Sequence, residues 1–222
     1  MTSNRPESDP AAADHAQTFV DWTRLNARAL MAGAIVVVVA AAGFWFYDRS
    51  RAIQAGNAEK ALMTAKQSMS AGNLPLAQTD LQSVASRYGS TSAGVEAAMI
   101  LAQMNFDAGK YNDGIALLQK ASSSSAAGEQ IPTIRSLEGD GYSQMGKLQD
   151  AAKEYDAAAD ASAYDTERAF QRAKAARTYQ IAGDTARARQ IWSNLAKDPT
   201  AASMASEARV RLGELTARVA TK

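Results

Sequence analysis

Residues 102–118 read AQMNFDAGKYNDGIALL, and the pattern of this segment recurs along the chain. Its glycine at 109 is one of four glycines that follow one another at a constant step of 37 residues. A small residue stands five positions after each glycine, and a large apolar or aromatic residue stands nine positions after it. The glycines are Gly72, Gly109, Gly146 and Gly183; the small residues are Ala77, Gly114, Ala151 and Ala188; the large residues are Leu81, Leu118, Tyr155 and Trp192. This periodicity indicates one supersecondary unit used four times.

The residue types predict how each unit folds. The glycine supplies the positive φ that ends a first helix, and the small residue after it lets a second helix approach closely. A further small residue stands seven positions before each glycine, at Ala65, Ala102, Gly139 and Ala176. After the last unit, apolar residues at helical spacing predict one closing helix. These are Met204, Ala208, Leu212, Leu215 and Val219.

These features resemble the tetratricopeptide repeat, a pair of antiparallel helices of about 34 residues. We therefore predict an all-α fold, in which an N-terminal transmembrane helix precedes a solenoid of four helix pairs plus a capping helix. Each unit is about three residues longer than usual. The extra residues are expected between one pair and the next, most obviously from Ser122 to Gly128.

An apolar stretch precedes the repeats. Leu30 to Tyr47 is 18 residues long without a charge, which is close to the thickness of a bilayer core. The aromatic residues 44–47 close this stretch, and Phe19 with Trp22 could lie at the opposite interface. A cleaved signal peptide is the less favoured alternative, because its N-terminal region would be long and acidic. The predicted organisation is a disordered tail (1–17), an interfacial and transmembrane helix (18–47) and a repeat domain (48–222).

Composition excludes several classes of site. The absence of cysteine excludes disulfides, thiolate nucleophiles and sulfur-bound metals. The single histidine, His15, lies in the tail, so the repeats cannot contain a histidine-dependent triad. From Asp48 to Lys222, 21 basic residues face 19 acidic ones, a balance unsuited to binding nucleic acid. We predict no catalytic residue, no cofactor, no metal and no small-molecule substrate, and hence a protein that is not an enzyme.

Two segments imitate chemical sites. Residues 141–147 match the start of a phosphate-binding loop, but Leu148 stands where that loop needs a hydroxyl, and Gly146 already belongs to the periodic series. Acidic residues at 150, 154, 156 and 160 face basic residues at 168, 172, 174 and 177. We interpret these as charge pairs between the surfaces of neighbouring helix pairs, each contributing little.

The first helix of each pair is expected to line the concave face of the solenoid, where an extended peptide or a partner's tail could bind. The predicted binding residues are Lys66, Glu96, Met99, Gln103, Phe106, Asp140 and Arg177. For Met99 and Phe106, a place in the ordinary core is an equal alternative. Four of the seven stand six positions before a turn glycine and should form a polar row, none of them at a predicted packing position. They are Lys66, Gln103, Asp140 and Arg177.

The order of segments resembles one family. A tail with FVDW at 19–22 leads into an anchor that ends GFWFY at 43–47, then a helix that begins RAIQA at 51–55, then the repeats. This order is similar to the ancillary Sec-translocon subunit family (YfgM-like). The resemblance implies an inner-membrane anchor in bacteria, a periplasmic repeat domain, and partners among translocon subunits, chaperones and client polypeptides.

Charge by itself leaves the orientation open. Basic residues after the apolar stretch, beginning with Arg49 and Arg51, outnumber those before it and favour a cytoplasmic repeat domain. Long folded segments, however, cross membranes largely regardless of charge. A second hypothesis is therefore a membrane tether that holds its repeat domain in the cytoplasm and binds soluble partners there.

Overall fold

A computed structural model describes residues 25–220, in which the regular secondary structure is helical and no β-strand is present. The predicted disordered tail and the aromatic residues Phe19 and Trp22 lie outside the described residues. The α-helices are α1 Ala27–Ser70, α2 Leu74–Arg87, α3 Ser92–Asp107, α4 Tyr111–Ser122, α5 Ile131–Gln144, α6 Leu148–Ala161, α7 Asp165–Ile181, α8 Thr185–Lys197 and α9 Ala202–Ala220. Two short 3-10 turns, Gly128–Gln130 and Pro199–Ala201, precede α5 and α9.

The chain divides into two compact units between Ile53 and Gln54, inside helix α1. In the first unit, α1 carries an apolar surface whose large side chains are exposed around the helix, Trp45 for example at 67 %. In the second unit, Ala58, Leu62 and Ala65 of α1 share a buried cluster with Leu81 and Val84, so the C-terminal part of α1 packs against α2. The following pairs are α3 with α4, α5 with α6, and α7 with α8.

The four periodic glycines end the first helix of each pair, as predicted. Gly72, Gly109, Gly146 and Gly183 have φ of 78°, 72°, 73° and 87°, a conformation that costs glycine nothing. The residue after each glycine donates its N–H to a carbonyl five positions earlier, for example Lys147 N to Tyr142 O at 2.9 Å. These hydrogen bonds satisfy carbonyls that the helix end would leave free.

The periodic small and large residues build the core between the helices. The alanines five positions after the glycines are fully buried, and so are Leu81, Leu118 and Trp192. Glycine is required where an aromatic ring takes the space of a side chain. A Cβ on Gly139 would lie 2.4 Å from the ring of Tyr155, and a Cβ on Gly114 would lie 2.4 Å from the ring of Phe106.

The extra residues of each unit occupy different places. Between α4 and α5 they lie in the connector, residues 123–130, as predicted. Between α6 and α7 the connector is short, residues 162–164, and α7 has 17 residues where α5 has 14. The repeat length is therefore constant because helix and connector lengths compensate for each other.

Helix α9 covers the end of the stack, as the helical spacing predicted. Ala208 and Leu215 are buried, and Met204 and Leu212 pack against the cluster around Trp192. The side chain of Val219 lies outside the described residues. The exposed surface of α9 includes Ser206, Arg209 and Glu214 beside Val210, and its polar groups suit a terminal helix that must meet water.

Candidate protein-binding face

The first helices α1, α3, α5, α7 and the closing α9 lie side by side in the repeat unit, and we call their shared outer surface the first-helix face. The row of Lys66, Gln103, Asp140 and Arg177 runs along it, one residue per helix. A second row stands thirty positions further along the sequence, one helix over. It consists of Glu96, Thr133, Phe170 and Glu207. The two rows face each other across the gaps between neighbouring helices.

The outer members of the two rows bind each other. Lys66 Nζ lies 2.5 Å from Glu96 Oε1, which links α1 to α3. Arg177 donates from Nε to Glu207 Oε1 at 2.7 Å and through a second nitrogen to the other carboxylate oxygen, which links α7 to α9. The bidentate geometry makes the second pair the stronger one. Both ends of the face are therefore occupied by the chain's own side chains.

The central members of the rows are not paired in this way. Gln103 is exposed, and in the part of the chain that the structure describes its side chain donates only to Asp107 of its own helix, at 2.9 Å. Thr133 is exposed, and the ring of Phe170 is 48 % exposed although it lies in a helix with a buried side. Aromatic side chains are enriched at the centre of protein interfaces, so the exposed Phe170 ring marks a candidate contact point. Sequence reasoning missed Thr133 and Phe170, which the same 37-residue step from Glu96 would have located.

Asp140 has a structural role as well. It accepts a hydrogen bond from the Tyr155 hydroxyl at 2.7 Å, and Lys174 Nζ lies 2.7 Å from the same carboxylate. The Lys174 ammonium also lies 4.4 Å from the centre of the Tyr155 ring. Burial and the hydrogen bond to Asp140 raise the pKa of Tyr155 well above its usual range. The expectation that Asp140 and Arg177 take no part in packing is therefore wrong, because each one joins neighbouring helices.

The two apolar candidates lie mainly in the core. Phe106 is 2 % exposed, and its ring fills the space beside Gly114 and Gly141. Met99 is half-buried against the same cluster. Phe106 is therefore a core residue in this structure, and we leave it out of the binding surface proposed below.

The segment that imitates a phosphate-binding loop has an ordinary helical explanation. Gly141 lies within α5, where a Cβ would come within 2.7 Å of the Phe106 ring. Gly146 is the turn glycine described above, and the Lys147 ammonium lies 6.0 Å from the Tyr142 ring. The backbone here is a helix end followed by a helix start rather than an open anion-binding loop.

The predicted charge pairing between the acidic and the basic stretch is confirmed for Arg172, whereas Glu154, Lys174 and Arg177 pair with residues outside the two stretches. Arg172 of α7 lies 2.8 Å from Asp156 of α6 and also binds Asp160. A second cluster, which sequence reasoning did not anticipate, joins α5 to α6. Arg135 lies 3.0 Å from Glu138 and 3.1 Å from Glu154.

Glu138 is the unusual member of this cluster. Its side chain is 1 % exposed, and no hydrogen-bond partner of its Oε1 is found among the described residues. Burial, together with the neighbouring Glu154 carboxylate, raises the pKa of Glu138 from 4.5 to about 7, against the attraction of Arg135. The carboxyl group therefore exchanges its proton in the neutral range.

A comparison with known protein families agrees with the repeat fold. The model of the tetratricopeptide repeat-like domain family matches residues 21–135 and 58–176. The chain belongs to this family. Such repeats are typically protein-binding scaffolds and not enzymes. The crystal structure of a Podosopora anserina putative kinesin light chain with nearly identical TPR-like repeats is similar, with 13 % identity and a TM-score of 0.49, and the match covers 72 % of this chain and 95 % of that one. No curated protein matches the sequence.

Helix α1 contains one stretch that is long and apolar enough to cross a membrane, judged by length and composition. The stretch lies near the N-terminus, and its side chains are not buried by the rest of the protein. Its aromatic end is followed by Arg51, whose guanidinium lies 5.5 Å from the centre of the Tyr47 ring. This arrangement of rings and cations is typical of a membrane interface.

Proposed function

We propose that the protein is a membrane-anchored scaffold whose repeat unit binds an extended segment of another protein on the first-helix face. The observation that carries the proposal is the open centre of that face. The Lys66–Glu96 and Arg177–Glu207 pairs occupy its ends, whereas, within residues 25–220, the Gln103 side chain bonds only within its own helix and the Phe170 ring is exposed.

The chemistry of the centre suits a peptide backbone. The Gln103 amide and the Thr133 hydroxyl offer both donors and acceptors, so an extended chain can satisfy its own polar groups there. The Phe170 ring offers an apolar surface at little cost in side-chain entropy. Binding of this kind needs no reacting group, which agrees with the prediction that the protein is not an enzyme.

A photocrosslinking experiment tests this face. p-Benzoylphenylalanine replaces Phe170 in the full chain in membranes, and the matched control carries it at Gln119, an exposed position on a second helix. We expect protein adducts from position 170 and few from position 119. Replacing Gln103 by Ala should weaken capture at 170 by several-fold without loss of helicity. Equal adducts from both positions, or unchanged capture in the Gln103→Ala variant, would contradict the proposal.

We further propose that residues 18–47 anchor the protein in a bacterial inner membrane with the repeat unit in the periplasm. The apolar stretch of α1 supports the anchor, and the resemblance to the ancillary Sec-translocon family supports the orientation. A reporter enzyme that is active only outside the cytoplasm should be active when fused after Lys222. The same reporter placed before the tail should be inactive. The reverse result would favour the cytoplasmic tether.

The proposed partners are the Sec translocon, periplasmic chaperones or client chains. The support for these partners is the order of tail, anchor and repeats, together with the open face. Adducts from position 170 can be identified by mass spectrometry after purification from membranes. Translocon subunits, chaperones or secreted clients among the adducts would support this assignment, and adducts only with cytoplasmic proteins would exclude it.

A further inference from the structure

A groove of about 440 Å³ lies on another side of the repeat unit, between the second helices α2 and α4. The N-terminal part of α3 forms its floor through Gly94, Val95 and Ala98, and Leu117 of α4 completes this apolar surface. Serines of the connector after α4 line one wall. The volume is in the range of specific ligand sites.

The walls of this groove are held in place without a ligand. Ser124 of one connector donates to the Gly89 carbonyl of the other at 2.8 Å. Gln130 donates to the Ser92 hydroxyl at 2.6 Å. Gly94 is needed for this closure, because a Cβ there would lie 1.9 Å from the Tyr88 carbonyl oxygen. The groove is therefore preformed, which lowers the entropic cost of binding.

The repeat allows the same junction to be compared two units further along. There, a cleft of about 370 Å³ has Arg172 at the position of Ala98 and Asp156 at the position of Gln82. These two side chains bind each other at 2.8 Å. The chain thus supplies both charges of the C-terminal cleft itself.

The middle junction is also occupied by charges of the chain. Arg135 stands at the position of Ala98 and Glu154 at the position of Leu117, and they lie 3.1 Å apart. The first junction differs from both others. Its equivalent positions hold Gln82, Leu117 and Ala98, so no internal ion pair fills it.

The charge that the first groove does carry is positive. Arg87 and Lys120 line it, and no carboxylate does. Both side chains are exposed, and within the described residues neither forms an ion pair; Arg87 makes only a cation–π contact, 5.9 Å from the Tyr88 ring. The carboxylates that neutralise the other two junctions are missing here, so the two cations beside the apolar floor favour a ligand that carries a carboxylate.

We propose that this groove is a second docking site, which binds an acidic peptide segment of a partner protein. A carboxylate of the segment pairs with Arg87 and Lys120, and an adjacent aliphatic side chain lies on Val95, Ala98 and Leu117. The hydroxyls of Ser86, Ser123 and Ser124 already donate to carbonyls of the chain, so they act as acceptors for N–H groups of the segment. The site is independent of the first-helix face, since it lies between second helices.

The test selects peptides from a phage-displayed library of random dodecamers on the full chain in detergent. We expect enrichment of sequences in which Asp or Glu stands next to Leu, Ile or Val. A synthetic peptide from the selection should bind at least tenfold more tightly than its Asn or Gln version in fluorescence anisotropy. A selection without acidic residues, or equal binding of the amide version, would overturn the proposal.

Two variants locate the site. The double variant Arg87→Gln, Lys120→Gln should bind the selected peptide at least tenfold more weakly than the wild type. The control variant Lys153→Gln, Lys197→Gln removes the same charge from α6 and α8 and should bind the peptide as the wild type does. Gln82→Asp with Ala98→Arg rebuilds the ion pair of the C-terminal cleft and should abolish binding while helicity is retained. Binding that survives either groove variant would overturn the proposal. The proposal would also be overturned if millimolar inorganic phosphate displaced the peptide completely and the peptide bound equally well without its aliphatic residue. That result would indicate a simple anion site.

Discussion

Replacing Glu138 by Gln should change how the stability of the repeat unit depends on pH. The folded state raises the pKa of this carboxyl group from 4.5 to about 7, mainly through burial and then through Glu154. Between these values the folded chain keeps the proton that the unfolded chain has released. The contribution of Glu138 to the free energy of unfolding is therefore fully present below pH 4.5, and it is lost as the pH rises through 7.

The size of the effect follows from the shift. At about 1.4 kcal/mol per pKa unit, the rise corresponds to about 3 kcal/mol lost between pH 4.5 and pH 8. Glutamine fills nearly the same volume and cannot ionise. Arg135 keeps Glu154 as a partner at 3.1 Å in the variant. We expect Glu138→Gln to be about 1–2 kcal/mol more stable than the wild type at pH 8 and close to it at pH 5.

The assay is a urea titration of the full chain in detergent, followed by circular dichroism at 222 nm, at several pH values from 5 to 8. The matched control is Glu214→Gln, which removes an exposed carboxylate that lies 3.0 Å from Arg211. The control should keep the wild-type slope of stability against pH. A wild-type slope in Glu138→Gln as well, or a loss of stability at pH 8, would refute the reasoning.

Three further changes test the packing, each by urea titration. Gly146→Val should lower the free energy of unfolding by about 1 kcal/mol or more, because φ is 73° there. The control Gly213→Ala lies in α9 with open space around it, and it should be neutral or stabilising by up to about 1 kcal/mol. Gly139→Ala should cost about 1–3 kcal/mol, since its Cβ would press on the Tyr155 ring. Trp192→Ala should cost about 3–5 kcal/mol because the indole is fully buried. A wild-type midpoint for Gly146→Val, Gly139→Ala or Trp192→Ala would contradict the corresponding role.

The sequence predicted the features that depend on local backbone chemistry. Gly72 and its three equivalents were predictable because a helix end with positive φ requires glycine, whatever surrounds it. The burial of Leu81 and Trp192 followed because the helical period fixes which side faces a neighbour. For Phe106 the helical period did not decide between a core position and a binding position, because an apolar residue near the edge of the buried side can face either the core or a ligand.

The lateral contacts between helices could not be predicted in the same way. Whether Lys66 meets Glu96 depends on the distance and rotation between two first helices, which no single helix encodes. The burial of Glu138 has the same origin, because its neighbour Glu154 comes from another helix. Phe170 escaped notice because its own helix is rich in charge, and only the second row shows that its position belongs to the same face as Glu96 and Glu207.

One repeated position illustrates how identical backbones acquire different surfaces. Ala98, Arg135 and Arg172 stand one repeat apart, each on a first helix beneath two second helices. The arginines pair with carboxylates of α6, and these ion pairs satisfy the charge at their junctions from within the chain. Alanine forms no such pair, so the first groove is lined by the cations Arg87 and Lys120 without a carboxylate of the chain, although its helices meet as the others do. The period therefore determines the contacts between helices, and the side chain at this one position determines where a partner can dock.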